Sequence, residues 1–328
     1  MRGVAAGGRR TGAVMLVISS SVHALSLRDA PAHVIVRRAG YMSGSRWNTP
    51  PPEWLPLTSP ADGVRLMARR FPARREPERP PVILLHGTAQ SQAMWRGLGW
   101  VDALRDGADV WTVDLRGHGR SDRPHDPAAY AMDRFVADAL TVADATGAPA
   151  ASIIGFSLGG RVAFSAVTAH PERFTTMVSL AGSPVNRAGA FDRVFFPGIA
   201  RSLAAGDMDA TLHEWERRRG RPIPPADRAV LAANDPRALA AYMVAEDADL
   251  GVPFHALTGL HLPVLLLVGD RDAERERAAQ LSAAYIPRAR LRIIPGAGHG
   301  GLLRSTEARR ASTCFLAEPR PARGLAHG

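Results

Sequence analysis

From residue 82 onward the sequence alternates two kinds of segment, and this alternation restricts the possible folds more than any other feature. Val82-Ile83-Leu84-Leu85 is a continuous apolar run, as expected of a strand buried on both faces. Residues 91–106 follow with helical spacing of Met94, Trp95, Leu98, Val101 and Leu104. Val110–Leu115 reads as a second buried strand, 129–146 as a helix, Ser152–Ile154 as a third strand, 158–170 as a helix and Phe174–Leu180 as a fourth strand. Short strands separated by helices of about 10–15 residues predict right-handed βαβ units on a parallel sheet.

The rhythm stops at Gly182-Ser183-Pro184. Only helical pieces follow, over 198–219 and 225–245. The strand pattern resumes at Val264–Val268, then a helix over 274–285, a strand over 290–294 and a helix over 302–316. Upstream, Gly63–Phe71 alternates loosely and reads as a strand. Trp54-Leu55 is a short apolar patch after three prolines, and Arg74–Pro81 is a charged, proline-rich loop. The expected fold class is α/β, a mostly parallel, doubly wound sheet interrupted by a helical insertion.

Composition narrows the chemistry. Cys314 is the single cysteine, so an intramolecular disulfide and any multi-cysteine metal cluster are excluded. The net charge of +10 comes entirely from arginine among the basic residues, since the chain has no lysine. Many of those arginines fall in residues 1–80, without the interleaved aromatics of a nucleic-acid face, so no nucleic-acid partner is expected. No apolar stretch reaches the roughly 18–20 residues of a membrane span. No H-E-x-x-H is present and no metal site is expected. Gly117-x-Gly119 follows a strand, but Asp122 stands where a dinucleotide loop needs its third glycine. No cofactor is expected.

The strongest local signal is Gly155-Phe156-Ser157-Leu158-Gly159-Gly160, a G-x-S-x-G between a strand and a helix. Glycines allow the tight turn that presents a serine hydroxyl on strained backbone. The helix beginning at Leu158 aims its amides at a developing oxyanion. A serine hydroxyl is a weak nucleophile and needs a base oriented by a carboxylate. His299, in Gly296-Ala297-Gly298-His299-Gly300-Gly301, follows the last strand, at the sheet's carboxyl end. Asp272 is the candidate carboxylate after Val268-Gly269, with Asp270 its rival. The chain order serine, acid, histidine matches one particular fold.

These motifs together resemble the α/β-hydrolase superfamily, in its form with a helical cap between the sixth and seventh strands. Leu84-Leu85-His86-Gly87-Thr88 resembles its His-Gly oxyanion loop, and Asp114 to Asp122 its D-x-x-G-x-G-x-S loop. Gly269-Asp270-Arg271-Asp272 resembles its G-x-x-D acid motif, which selects Asp272 over Asp270. The resemblance covers about residues 54–317. It implies Ser157, Asp272 and His299 as catalytic residues and the backbone N–H groups of Thr88 and Leu158 as the oxyanion hole. It implies core segments 51–183 and 260–317, a cap over 184–259 and a tail over 318–328. His86 and His118 read as structural.

The expected activity is a cofactor-free serine hydrolase acting on a small-to-medium carboxylic ester, with a small-molecule substrate. The same triad also serves lactones, thioesters, peracids and carbon–carbon bonds, and some members of the fold are small-molecule receptors. Epoxide hydrolases and haloalkane dehalogenases of the fold use an aspartate at the elbow, which Ser157 argues against. Thr88-Ala89-Gln90 departs from the glycine and proline of the meta-cleavage carbon–carbon hydrolases. In the cap segment Phe191, Phe195, Phe196, Trp215, Tyr242 and Met243 are expected mostly to pack it against the sheet.

Residues 1–50 stand apart as an extension. Arg9-Arg10, the run Ala13–Ile18 and Val22-His23-Ala24 look like a weak secretory signal. An unstructured extension, or a start at Met42, is the plainer expectation and places the protein in the cytoplasm rather than outside the cell. The oligomeric state is not legible.

Overall fold

A computed structural model describes residues 50–319. The signal-like segment, Met42 and the tail beyond 319 lie outside those residues.

Eight strands form one sheet: β1 (Glu53–Thr58), β2 (Arg65–Phe71), β3 (Val82–Leu85), β4 (Val110–Asp114), β5 (Ala151–Phe156), β6 (Phe174–Leu180), β7 (Val264–Gly269) and β8 (Ala289–Ile294). Their order is β1-β2-β4-β3-β5-β6-β7-β8. β1 pairs with β2 and β2 with β4 antiparallel, and all other pairs are parallel. The chain moves to one side of β3 for β4 and then to the other for β5. The ends of β3 and β5 therefore flank a topological switch point, where open α/β sheets hold their ligands.

The continuous apolar runs keep a period of two within them. Ile83, Leu85, Trp111, Val113, Ile153, Met177, Leu266 and Val268 face one core. Val82, Leu84, Val110, Ile154, Val178, Leu265 and Leu267 face the other. Helices cover both faces, which is why the strands show no polar alternation. α3 (Met132–Ala145), α4 (Leu158–Ala169) and α10 (Ala273–Tyr285) contribute to the first core. α1 (Ala93–Gly97), α2 (Trp100–Leu104), α11 (Gly301–Arg304) and α12 (Thr306–Ala317) contribute to the second.

Between β6 and β7 run α5 (Ala190–Val194), α6 (Ile199–Ala204), α7 (Met208–Arg219), α8 (Pro225–Ala232) and α9 (Pro236–Ala248). Entry and exit of this insertion are joined by a bridge between Val185 and Gly251 and by the Val252 N–H donating to Pro184 O at 2.8 Å. Tyr242, Met243 and Phe196 are buried, and Phe191, Phe195 and Trp215 are half-buried against the same core.

Local chemistry divides several expected helices. The helix expected over 91–106 breaks at Gly99, whose φ of 76° is left-handed. That over 198–219 breaks at Gly206 (φ 90°), after which Asp207 accepts from the Ala210 N–H and starts α7. That over 225–245 breaks where Asp235 accepts from the Arg237 and Ala238 N–H groups, with Pro236 at the first position of α9. The segment 302–316 is two helices, α12 being capped by Ser305. The patch at Trp54-Leu55 is part of an edge strand.

Candidate active site

β5 leads straight into α4 through Ser157, which sits at φ 52°, ψ −110°. This is strained for a non-glycine residue and turns the hydroxyl out of the elbow. The turn closes only because its neighbours lack side chains. A Cβ on Gly155 would lie 2.1 Å from Gly159 O, and one on Gly159 2.1 Å from Leu85 O. Two bonds hold the elbow: Ser157 N–H to Leu180 O at 3.0 Å and Gly159 N–H to His86 O at 3.1 Å.

Three segments far apart in sequence meet there. His299 Nε2 lies 3.0 Å from Ser157 Oγ, and His299 Nδ1 lies 2.6 Å from Asp272 Oδ2. Because a carboxylate only accepts, the Nδ1–H donates to Asp272, which leaves Nε2 to accept from the serine hydroxyl. Asp272 is mostly buried and His299 half-buried, with the Phe156 ring 5.0 Å from the imidazole. The rival Asp270 instead accepts from the Gly296 N–H at 2.8 Å. It closes the loop that carries His299 and does not touch the imidazole. Gly269 must be glycine, since a Cβ would lie 1.9 Å from Ala297 O.

Thr88 follows β3 beside the elbow. Neither its backbone N–H nor that of Leu158 is taken up by a hydrogen bond among the described residues. The loop is braced by Gly87 N–H donating to Gln90 Oε1 at 3.2 Å. Ala89 adopts a left-handed φ of 57°.

The other histidines of the motifs lie under the site. His86 is fully buried; its Nε2 accepts from the Leu115 N–H at 3.0 Å, so its Nδ1–H donates to Gly87 O at 2.8 Å. Burial pushes its pKa down to about 4. His118, 5.2 Å away ring to ring, is pushed down to about 3 by burial and then by His86. Both are neutral struts at neutral pH. The Asp114–Asp122 loop is likewise a brace: Asp114 accepts from the Gln92 N–H at 2.7 Å and the Arg120 N–H at 3.0 Å. Gly119 approaches so closely that a Cβ would lie 2.2 Å from the Asp114 carboxyl carbon.

One contact had no sequence signal: Tyr242 Oη on α9 lies 3.1 Å from Thr88 Oγ1. A groove of about 1130 Å³ opens among the N-terminal ends of the parallel strands, beside Pro80, Ala150 and Pro263. It contains none of the candidate catalytic groups. Among the described residues no group of three or more His, Cys, Asp or Glu is placed to hold a metal ion. No helix among them is long and apolar enough to cross a membrane.

Residues 80–205 match the family model of the alpha/beta hydrolase fold. A pimeloyl-[acyl-carrier protein] methyl ester esterase of Nitrosomonas europaea is 29% identical, over 68% of this chain and 90% of the relative. An epoxide hydrolase A of Mycobacterium tuberculosis is 32% identical over 51% of this chain and 55% of its own length. The crystal structure of a hydrolase from Pseudomonas aeruginosa superposes with a TM-score of 0.67 at 27% identity, covering 83% of this chain and 100% of that one.

Proposed function

The chain belongs to the α/β-hydrolase superfamily and is a hydrolase; from that premise we propose that it is a cofactor-free serine hydrolase of small-to-medium carboxylic esters. The observation that carries this reading is the chain of two hydrogen bonds from Ser157 through His299 to Asp272, at 3.0 and 2.6 Å.

In this mechanism Ser157 Oγ attacks the ester carbonyl carbon while His299 Nε2 takes the hydroxyl proton. Asp272 keeps the imidazole in the required tautomer and stabilises the imidazolium. The carbonyl oxygen, now an oxyanion, is held by the N–H groups of Leu158 and Thr88, the first at the positive end of α4. Collapse of the tetrahedral intermediate expels the alcohol, which takes the proton from His299. Water, activated by the same histidine, then releases the acid. The five helices between β6 and β7 serve as the cap over this site.

The relatives include an epoxide hydrolase, but residue 157 here is a hydroxyl and not a carboxylate. The similarity to a methyl ester esterase along nine-tenths of that protein is in keeping with ester cleavage.

The test combines a fluorophosphonate probe with turnover of p-nitrophenyl butyrate. Wild type is expected to be labelled on Ser157 and to complete many turnovers, and Ser157→Ala to do neither. Labelling without repeated turnover points to a receptor, and turnover by Ser157→Ala refutes the serine mechanism.

A further inference from the structure

The Thr88 N–H can stabilise an oxyanion only if its peptide is held in one orientation. Gly87 O, at the other end of that peptide, accepts from His86 Nδ1–H at 2.8 Å and the Gln90 N–H at 3.3 Å, and further contacts to Thr88 and Ala89 come from the insertion. Tyr242 Oη lies 3.1 Å from Thr88 Oγ1. Tyr242 is only 2% exposed, and its hydroxyl has no other hydrogen-bond partner among the described residues. Its ring is walled in by Phe191 at 5.5 Å, His118 at 6.0 Å and Phe135 at 6.1 Å. The next residue of the loop, Ala89, sits in the left-handed region, which costs a non-glycine residue about 1–2 kcal/mol unless its surroundings hold it. Its carbonyl accepts from Asn234 Nδ2 at 3.0 Å, in the turn that leads into α9. Two successive loop residues are therefore fixed by the insertion, one through its side chain and one through its backbone.

We propose that Tyr242 is a positioning residue for the oxyanion hole: its hydroxyl, bonded to Thr88 Oγ1, orients the Thr88 backbone N–H toward the reacting carbonyl. The inference rests on the serine-hydrolase reading and adds to it a dependence of catalysis on the seating of α9. A bond to Oγ1 restricts χ1 of a β-branched residue, so the anchored side chain limits how far the Thr88 Cα, and the N–H attached to it, can shift. Burial and the nearby Glu246 raise the tyrosine pKa well above its ordinary value, so the hydroxyl keeps its proton at every working pH.

The test is a mutant cycle on p-nitrophenyl butyrate with kcat and KM measured separately. Because the oxyanion exists only after attack, Tyr242→Phe is expected to lower kcat about tenfold, a part of the 10²–10³ that a whole donor is worth. KM is expected to move less than about twofold, as for an interaction made only in the transition state. Thr88→Val should show the same loss, and the double variant no more than either single one. Thr88→Ser, which keeps the hydroxyl, should stay well above Thr88→Val. Inactivation by diethyl p-nitrophenyl phosphate should slow in parallel with kcat. If Tyr242→Phe does not fold, as read by thermal unfolding, the kcat and KM split of Thr88→Val decides alone.

A kcat for Tyr242→Phe close to wild type, a loss confined to KM, or additive losses in the double variant would overturn the proposal. Ser157→Ala in the same assay separates the two readings. If it is dead while Tyr242→Phe runs at the wild-type rate, only the positioning role falls. If it turns over, both fall.

Discussion

The backbone N–H of Gly159 donates to the carbonyl oxygen of His86 at 3.1 Å, tying the turn that carries Ser157 to the loop that carries Thr88. Of the two candidate oxyanion donors, Leu158 stands one residue from one end of this tie and Thr88 two residues from the other. A Cβ on Gly159 would lie 2.1 Å from Leu85 O, which is backbone and cannot swing aside. Gly159→Ala is therefore expected to cost at least the roughly 1–3 kcal/mol of ordinary overpacking, and to lose ester turnover in whatever folds. Urea unfolding checks this. An unchanged midpoint would show that β3 and α4 can move apart freely.

In the proposed mechanism Ser157 and His299 act on the same proton, so their removal is expected not to be additive. Ser157→Ala and His299→Ala are each expected to abolish ester turnover with little change in thermal unfolding. The double variant should lose hardly more, as in triads whose members act as a unit. Burst-free, near wild-type kcat in either single variant would break the scheme.

The two aspartates do different work in the structure, and two variants separate them. Asp272 accepts from His299 Nδ1, so Asp272→Asn presents an amide that favours the wrong tautomer, with an expected loss of about 10⁴ in kcat. Among the described residues Asp270 accepts from the Gly296 N–H alone, in the loop before His299. Asp270→Asn keeps an acceptor oxygen there and is expected to cost far less. The reverse ranking in kcat would move the acid to Asp270.

Acid should weaken the fold through the histidines under the oxyanion loop. His86 and His118 have folded pKa values of about 4 and about 3, below the ordinary 6.5. Above pH 6.5 both are neutral folded or unfolded, and their stabilisation is complete. As pH falls below 6.5 only the unfolded chain takes up the two protons, so stability is lost. Glu246 opposes this: burial raises its carboxyl from 4.5 to about 7, so its contribution is complete below 4.5 and lost as pH rises through 7. The carboxyls of Asp114 and Asp138, raised by burial from 3.8, act the same way at the acid end. Between pH 6.5 and about 5, two protons against one leave a net loss on the order of 1 kcal/mol per pH unit. Urea unfolding at pH 7, 6 and 5 measures it, and Glu246→Gln should steepen the decline. A midpoint that rises on acidification would contradict the neutral-histidine assignment.

Much of this was legible because the physics is local. A strand buried on both faces is mostly apolar, so β3, β4, β5, β6 and β7 stood out as short runs even with the polar Thr112, Ser152, Thr176 and Ser179 among them. The glycines at 155 and 159 mark a turn that no other residue fits, whereas the choice of Asp272 over Asp270 came only from the resemblance of Gly269-Asp270-Arg271-Asp272 to the family's G-x-x-D motif. What stayed hidden depends on residues distant in sequence. β1 is an edge strand whose sequence, Glu53-Trp54-Leu55-Pro56-Leu57-Thr58, carries a proline and no clean alternation, so only its pairing with β2 makes it a strand. The expected helix over 91–106 has one apolar face throughout, and only the left-handed Gly99 divides it. Tyr242 read as a packing residue, which its ring is. Its bond to Thr88 joins positions 154 residues apart, and no spacing rule reaches that far.

The charge pattern of the insertion bears on the substrate. Glu214 pairs with Arg217 and Arg218, and Arg228 with Asp209 and Glu216. Arg161, the buried arginine on α4, faces both Glu246 at 2.9 Å and Asp249 at 3.0 Å. Each of these arginines already has acidic partners within ion-pair distance, which disfavours its serving as a clamp for an acidic substrate. The elbow residues Phe156 and Leu158 and the insertion residues Phe191 and Tyr242 are apolar or aromatic, surroundings that favour an apolar acyl group. Uncharged esters are therefore expected to be cleaved better than esters carrying a free carboxylate. Each added methylene should gain up to about 0.8 kcal/mol in kcat/KM until the space is filled. A p-nitrophenyl series from acetate to dodecanoate, with one acidic ester of matched length, measures both effects. A preference for the acidic ester would mean that one of these arginines leaves its partners and reaches the substrate, and substituting Arg161 with Gln should then abolish that preference.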